Sequence, residues 1–266
     1  MAKALWRGYI ALGYLGIPVR VLAMTQTSGV HFVQLHASDL SPVTRELRCS
    51  RDHQQVKYDD LVRGIEHEPG NYVTLTEREL ERSAPDAPKT LSVQQFCDVH
   101  AVPAVYYEKP YYVVPERGGE VAYALLREVF NRTGSMAIVS YMLYNKAHIG
   151  ALSQDGDMLV LLQLRFTSEL VPRSTIKTMP LVKPTPHEIE LMMKVVEQYR
   201  SPVYMPDYHD ESTERIQQLV ERKIQGLPEP RAPKPAIHAT PESQLATTLE
   251  RTLQNGPKTL GKGLSL

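Results

Sequence analysis

Hydrophobic and polar positions change rhythm along this chain. Up to about residue 184 the apolar residues come in short β-branched and aromatic runs cut by Gly and Pro. That pattern predicts strands. Residues 5–21 form one such run, with Ile17-Pro18-Val19 reading as a strand edge or start. Residues 30–36 alternate Val30, Phe32 and Gln34 against His31, Val33 and Leu35, the two-residue period of a strand. Residues 72–75 are β-prone. Thr76 with Glu79 has capping-box spacing, so a short helix follows, ended by Pro85 and Pro88. Residues 102–114 carry Tyr106, Tyr107, Tyr111 and Tyr112 around Pro110, a composition that suits a pleated surface. Strands are also expected at 136–144, 148–152 and 158–166, with Asp155-Gly156 as a hairpin turn. One helix interrupts them at 120–132, where Val121, Leu125 and Val129 recur at i, i+4 and i+8 beside Ala124, and Gly134 stands as its C-terminal glycine.

From residue 185 the period is helical. Thr185, Pro186 and Glu188 make a complete helix start, and Ile189, Met192, Val196 and Tyr199 share a face. Pro202 and Pro206 break the chain before a second helix at 211–225, with Ile216, Leu219, Val220 and Ile224 inward. Residues 227–266 contain no aromatic residue and six of the 20 prolines. Residues 228–235 read as an extended linker. A short helix at 241–254 would place Leu245, Leu249 and Leu253 in one stripe. The fold class is therefore mainly β with α: a β-barrel core over 1–184, a helical arm over 185–226 and a flexible tail over 227–266.

Composition narrows the function. The 266 residues suffice for one large domain or two small ones. Apolar residues make up 42% and charged residues 23%, which excludes wholesale disorder. Thirty basic residues balance thirty acidic ones. The surface is not basic all round, and any nucleic-acid site must be a local concentration of charge. Two cysteines, Cys49 and Cys97, cannot build a disulfide framework, which suits a reducing compartment. No apolar run approaches the roughly 20 residues that span a bilayer. A cytoplasmic, nucleoid-associated location without membrane contact is expected.

Enzyme motifs for dinucleotides, phosphate loops, serine nucleophiles and zinc proteases are missing from the sequence, and no cofactor is expected. Cys49 and His53 have a metal-like spacing but lack a second pair, so no metal is expected. Lys3 and Lys146 are candidates for Schiff-base chemistry at abasic sites, with ordinary cations the simpler reading. Basic residues do cluster: Arg45, Arg48, Arg51 and Lys57 with His53 among them; Arg127 and Arg132; Lys146 with His148; and Arg165, Arg173, Lys177 and Lys183. These clusters suggest a phosphate track. Arg51 is set aside, because Asp52 beside it suits a surface ion pair.

Trp6-Arg7-Gly8, Gly13 and Ile17-Pro18-Val19-Arg20 resemble the opening of the bacterial Ku family. The similarity continues in order through residues 32–36 (F-x-Q-L-H), Arg48-Cys49, Val56-x-Tyr58-x-Asp60, Gly70-x-Tyr72-Val73-x-Leu75-Thr76, residues 107–112 (YEKPYY), residues 123–128 (YALLRE), Asn145-Lys146 and residues 208–211 (YHDE). It spans roughly residues 3–226. The resemblance implies a Ku-type β-barrel with a bridge insertion at about 38–72 and a helical C-terminal arm. It also implies a homodimeric ring that encircles double-stranded DNA ends without reading sequence, and a tail that recruits DNA ligase D for non-homologous end joining. On that frame Arg45, Arg48, Lys57, Arg127, Lys146 and Arg173 are the expected DNA contacts. Leu245, Leu249 and Leu253 are the expected partner contacts. Valine, leucine and tyrosine residues in 30–75 and 102–114 would supply the dimer surface. Family members often carry Cys-x-x-Cys in the bridge, where this chain has Cys49-Ser50-Arg51-Asp52-His53. The alternatives are a SPOC-like phosphopeptide-binding module, for which the bridge would be superfluous, and an abasic-site lyase.

Overall fold

The structure is a computed structural model that describes residues 4–26, 29–83, 89–144, 146–178, 182–228 and 239–256. Lys3, Pro85, Pro88, Asn145 and most of the 228–235 linker lie outside the described residues. Two compact units divide the chain, one of residues 1–27 and 35–176, the other of residues 28–34 and 177–266.

The first unit is built on a closed barrel. Strands β1 (Ala4–Leu12), β2 (Leu15–Ala23), β5 (Thr90–Asp98), β6 (Tyr107–Pro115), β7 (Ser135–Leu143), β8 (Lys146–Asp155) and β9 (Met158–Leu164) close in the order β1-β2-β6-β9-β8-β7-β5. The intervening β3 (Arg63–Glu68) and β4 (Asn71–Leu75) pair only with each other, ahead of the short helix α1 (Glu77–Ser83). Barrel neighbours are antiparallel except β1 and β5, which run parallel where the barrel shuts. Alternate side chains point inward. Ile17, Val19 and Val21 from β2 meet Ile10, Leu91, Val113, Val139, Leu152, Leu159 and Leu161 in one core. Pro18 lies inside β2, not at a strand start or an edge. Its carbonyl accepts Glu116 N–H at 2.9 Å, just past the end of β6. A residue's N and C=O point the same way, so the missing donor faces a place where the ladder has already ended.

Helix α2 (Glu120–Thr133) closes over the core with Tyr123 and Phe130 buried and Ala122 and Leu126 packed beside them. Its glycine stop is as expected: Gly134 is left-handed at φ 60° and its N–H bonds Phe130 C=O. Val121, Leu125 and Val129, the stripe that marks the helix in the sequence, face outward. The turn at Asp155-Gly156 joins β8 to β9 as its residues predict. Residues 30–36 form no strand despite their alternation; Leu35 makes one isolated bridge with Pro42. Alternation marks a strand only when one face is buried, and here neither is. Tyr111 and Val113 within 102–114 are barrel core and are not available to a dimer surface.

The second unit contains α3 (Pro186–Tyr199), α4 (Glu211–Ile224) and α5 (Leu245–Asn255). Thr185 and Glu188 form the expected capping box on α3. Leu191 is its one buried residue, whereas Ile189, Met192, Val196 and Tyr199 are about half exposed. Helix α4 buries nothing, so Val220 and Ile224 do not point into a core.

Candidate nucleic-acid interface

Between β2 and the barrel's next strand the chain leaves the core. No residue from 35 to 75 is buried, and Cys49, Val56 and Leu75 alone are even half-buried. The segment holds itself together through backbone turns. Leu40 N–H bonds His36 C=O, and Asp39 accepts from Ser41. In the next turn Cys49 N–H bonds Gln54 C=O at 2.9 Å and Val56 N–H bonds Leu47 C=O at 2.9 Å. His53 sits there at φ 57°. The β3–β4 hairpin follows. In its register Arg63 faces Leu75 and Ile65 faces Val73, so these four share one surface, while Glu66 and Tyr72 lie on the other. Helix α1 then begins on the expected capping box, with Thr76 N–H bonding Glu79 at 2.8 Å. Leu40, Tyr58, Val62, Ile65, Tyr72 and Val73 all stand more than half exposed.

The six expected DNA contacts fall into three groups. Arg45, Arg48 and Lys57 lie on the exposed segment, around the turn at 47–56. Arg48 is 3.3 Å from Glu46, an exposed pair of little energetic consequence. Arg45 and Lys57 have no acidic partner among the described residues. Lys146 opens β8, with Nζ 3.8 Å from Glu169, and Arg173 stands on a short 3-10 turn at Arg173–Thr175. Both are exposed. Arg127 differs. Its guanidinium donates to Asp157 C=O at 2.8 Å, tying α2 to the β8–β9 turn.

The expected ion pair between Arg51 and Asp52 does not form. Asp52 accepts Gln54 N–H at 3.1 Å and caps the turn instead. Arg51 has no acidic partner among the described residues and joins Arg45 and Lys57. The Asp-x-Gln spacing of a side-chain-capped turn is the sequence signal for this arrangement. Segment 35–75 as a whole holds five basic residues (Arg45, Arg48, Arg51, Lys57, Arg63) against seven acidic ones (Asp39, Glu46, Asp52, Asp59, Asp60, Glu66, Glu68). The net positive excess of the segment is therefore confined to 45–57, where four cations outnumber Glu46 and Asp52. A polyanion is recognised by such a local excess.

In the second unit the tail helix is present as a 3-10 turn at Glu242–Gln244 running into α5. Leu245, Leu249 and Leu253 are each half-buried. Gln198 of α3 donates to Leu253 C=O at 3.3 Å, and Tyr199 OH donates to Gly256 C=O at 3.3 Å. Leu245 and Leu249 line an apolar groove of about 580 Å³ with Ile189, Met192, Met193 and Val196.

A family model described as the Ku70/Ku80 beta-barrel domain matches residues 11–193. The chain belongs to the Ku family. Curated Ku relatives named as non-homologous end joining protein Ku align along most of it. That of Pseudomonas aeruginosa is 31% identical over 92% of this chain and 82% of its own length. The Solibacter usitatus protein is 32% identical over 85% and 84%, and the Archaeoglobus fulgidus protein 30% over 84% and 89%. The Ku match begins near the end of β1 and takes in the rest of the barrel, the exposed segment and the first turns of α3. Among the described residues no helix is long and apolar enough to cross a membrane.

Proposed function

We propose that this Ku protein binds the ends of double-stranded DNA in non-homologous end joining, as a homodimer whose two exposed segments close a ring. The names of its relatives support the pathway. The observation that carries the ring is segment 35–75, some forty residues with large apolar side chains and no core of their own. Apolar surface of that extent calls for a covering partner. A second copy offers the same surface in return, as a two-fold contact requires. The Arg63, Ile65, Val73 and Leu75 face of the hairpin is the natural meeting surface. The turn carrying Arg45, Arg48, Arg51 and Lys57, together with Lys146 and Arg173, supplies cations to phosphates. Arg127 joins the same track only with the guanidinium donors that Asp157 C=O leaves free. Phosphate contacts hold the duplex without reading its bases, so end recognition comes from threading, not sequence. The protein performs no chemistry in this reading. It hands the ends to DNA ligase D, with the α3–α5 groove and its leucines as the docking surface. A cytoplasmic, nucleoid-associated location follows from the substrate.

A band-shift competition tests the ring. Linear duplex should bind, and covalently closed circles of the same sequence should compete poorly at moderate salt. Equal competition by circles would refute threading while leaving family membership untouched.

A further inference from the structure

Three hairpins of the barrel turn through two-residue loops: Leu12 pairs with Leu15, Asp155 with Met158 and Leu143 with Lys146. The first loop residue is left-handed in each, at φ 57° for Gly13, 57° for Gly156 and 52° for Tyr144. Glycine adopts that conformation without steric strain, whereas a Cβ there crowds the following carbonyl oxygen. Asn, Asp and Gly are therefore the residues such loops take. The chain follows this rule twice and breaks it once, with an aromatic residue. The fold makes no use of the exception. The Tyr144 ring is 77% exposed, and among the described residues it makes no ring stack and no hydrogen bond. Strain of this kind persists where the surrounding structure enforces it, and it clusters at binding sites.

The base of the hairpin is firm. Two pairs below the loop, Tyr141 and His148 face each other and stack, with ring centroids 5.4 Å apart at 25°. The Tyr141 hydroxyl donates to Gln163 Oε1 at 3.4 Å, and the buried Gln163 donates to Glu108 at 2.9 Å. The same loop presents Lys146, whose exposed ammonium has one carboxylate, Glu169, at 3.8 Å. Four antiparallel pairings lead from β2 through β6, β9 and β8 to β7. Strands β2 and β7 therefore run the same way and finish at the same end of the barrel. At that end the chain leaves β2 on its way to the exposed segment and its basic turn.

We infer, on the reading that this Ku protein binds DNA ends, that Tyr144 stacks on an unpaired base of the end while Lys146 meets the phosphate beside it. An aromatic face next to a cation is the combination that holds single-stranded nucleic acid, and it accepts any base because every base has a π face. Within a duplex those faces are covered by neighbouring pairs, whereas an overhang leaves them free. Cations on phosphates act alike along the whole duplex. A stacking residue adds what they lack, a direct preference for the place where pairing stops.

Overhang chemistry tests this. Two duplexes of one length carry the same short overhang, one with its bases and one with tetrahydrofuran abasic sites in their place, so the phosphates are equal and only base faces differ. The full-length protein should bind the base-bearing overhang about 5–150-fold more tightly, the range of one stacked base. Tyr144→Phe should keep that difference. Tyr144→Ala should erase it at an unchanged salt slope. Lys146→Ala should weaken binding of both duplexes and flatten the slope by about 0.9. Tyr144→Asn should erase the difference as well, yet melt about 1–3 °C higher, because the strain goes with the ring. Equal binding of the two overhangs by the wild-type chain would overturn the stacking and leave DNA-end binding standing. Binding of neither would overturn both. A lower melting temperature for Tyr144→Asn would show that the fold itself requires the tyrosine and would also overturn the inference.

Discussion

Tyr123 offers the sharpest test of how α2 is fixed to the barrel. Val113 of β6 and Leu159 of β9 face each other at the end of their ladder, and both are fully buried. The Tyr123 hydroxyl lies between them. It accepts Leu159 N–H at 2.7 Å and donates to Val113 C=O at 2.7 Å. Tyr123→Phe keeps the ring and removes the relay. Both hydrogen bonds disappear, each worth about 1 kcal/mol net, and a buried N–H left without an acceptor adds about 1–3 kcal/mol. Strand closure can recover part of this, but both flanking side chains sit in a packed core that resists a shift. A destabilisation of about 2–4 kcal/mol is expected. For a chain of this size that lowers the melting temperature by about 5–15 °C, at roughly 2–4 °C per kcal/mol. Urea unfolding should show a lower midpoint at unchanged slope. Tyr9→Phe is the control, since its half-exposed hydroxyl bonds nothing among the described residues, and should stay within about 0.5 kcal/mol of wild type. A Tyr123→Phe effect no larger than that of the control would refute the relay.

Four further outcomes are expected. Arg45→Ala, Arg51→Ala and Lys57→Ala should each weaken linear-DNA binding equally for all sequences and flatten the log–log salt dependence by about 0.9 for each phosphate left without its cation; a changed sequence preference would count against backbone recognition. Ile65→Asp or Val73→Asp should convert a dimer to a monomer in light scattering, and an unchanged mass would remove the hairpin from the dimer surface. Burial raises the pKa of Tyr141, Tyr123 and Tyr111, so the unfolded chain loses its phenolic protons first: stability should hold below pH ~10 and fall as pH rises beyond it, less steeply in Tyr141→Phe. Leu249→Asp should leave linear-DNA binding intact and lower stimulation of DNA ligase D, and equal stimulation would exclude the groove.

The strands with one buried face and the capped helices are legible in the sequence because local chemistry and tertiary role agree there. Thr76 with Glu79 and Thr185 with Glu188 behave as their spacing demands, since a capping box is satisfied within four residues. Helix α2 shows the other case. Its spacing identifies a helix correctly but is blind to which stripe the barrel takes, because Tyr123-Leu126-Phe130 (i, i+3, i+7) and Val121-Leu125-Val129 (i, i+4, i+8) both fit a helical face. The barrel takes the aromatic stripe, which buries more area per residue and whose Tyr123 hydroxyl can replace a missing ladder bond. Strand β5 is hidden for a related reason: Gln94 and Gln95 interrupt its apolar pattern. The interruption is a register shift between Val93 and Gln95, a feature of pairing with β7 that no window of sequence contains.

The candidate site divides along the same line. Basic residues are countable, so Arg45, Arg48 and Lys57 stand out in the sequence. Whether a cation is free depends on where its neighbouring carboxylates are engaged, and that is set by turns. Asp52 is nearer to Arg51 in sequence than any other acid, yet its oxygen is held by Gln54 N–H. Arg127 is as basic as Arg45, yet it is held by a carbonyl thirty residues away. An arginine already bonded meets a phosphate only with its remaining donors and from a position its partner fixes, whereas Arg45, Arg51 and Lys57 approach one at the cost of side-chain entropy alone. Ranking the cations by their existing partners therefore orders their expected shares of DNA affinity, with these three and Arg173 first, Lys146 and Arg48 after them through weak exposed ion pairs, and Arg127 last.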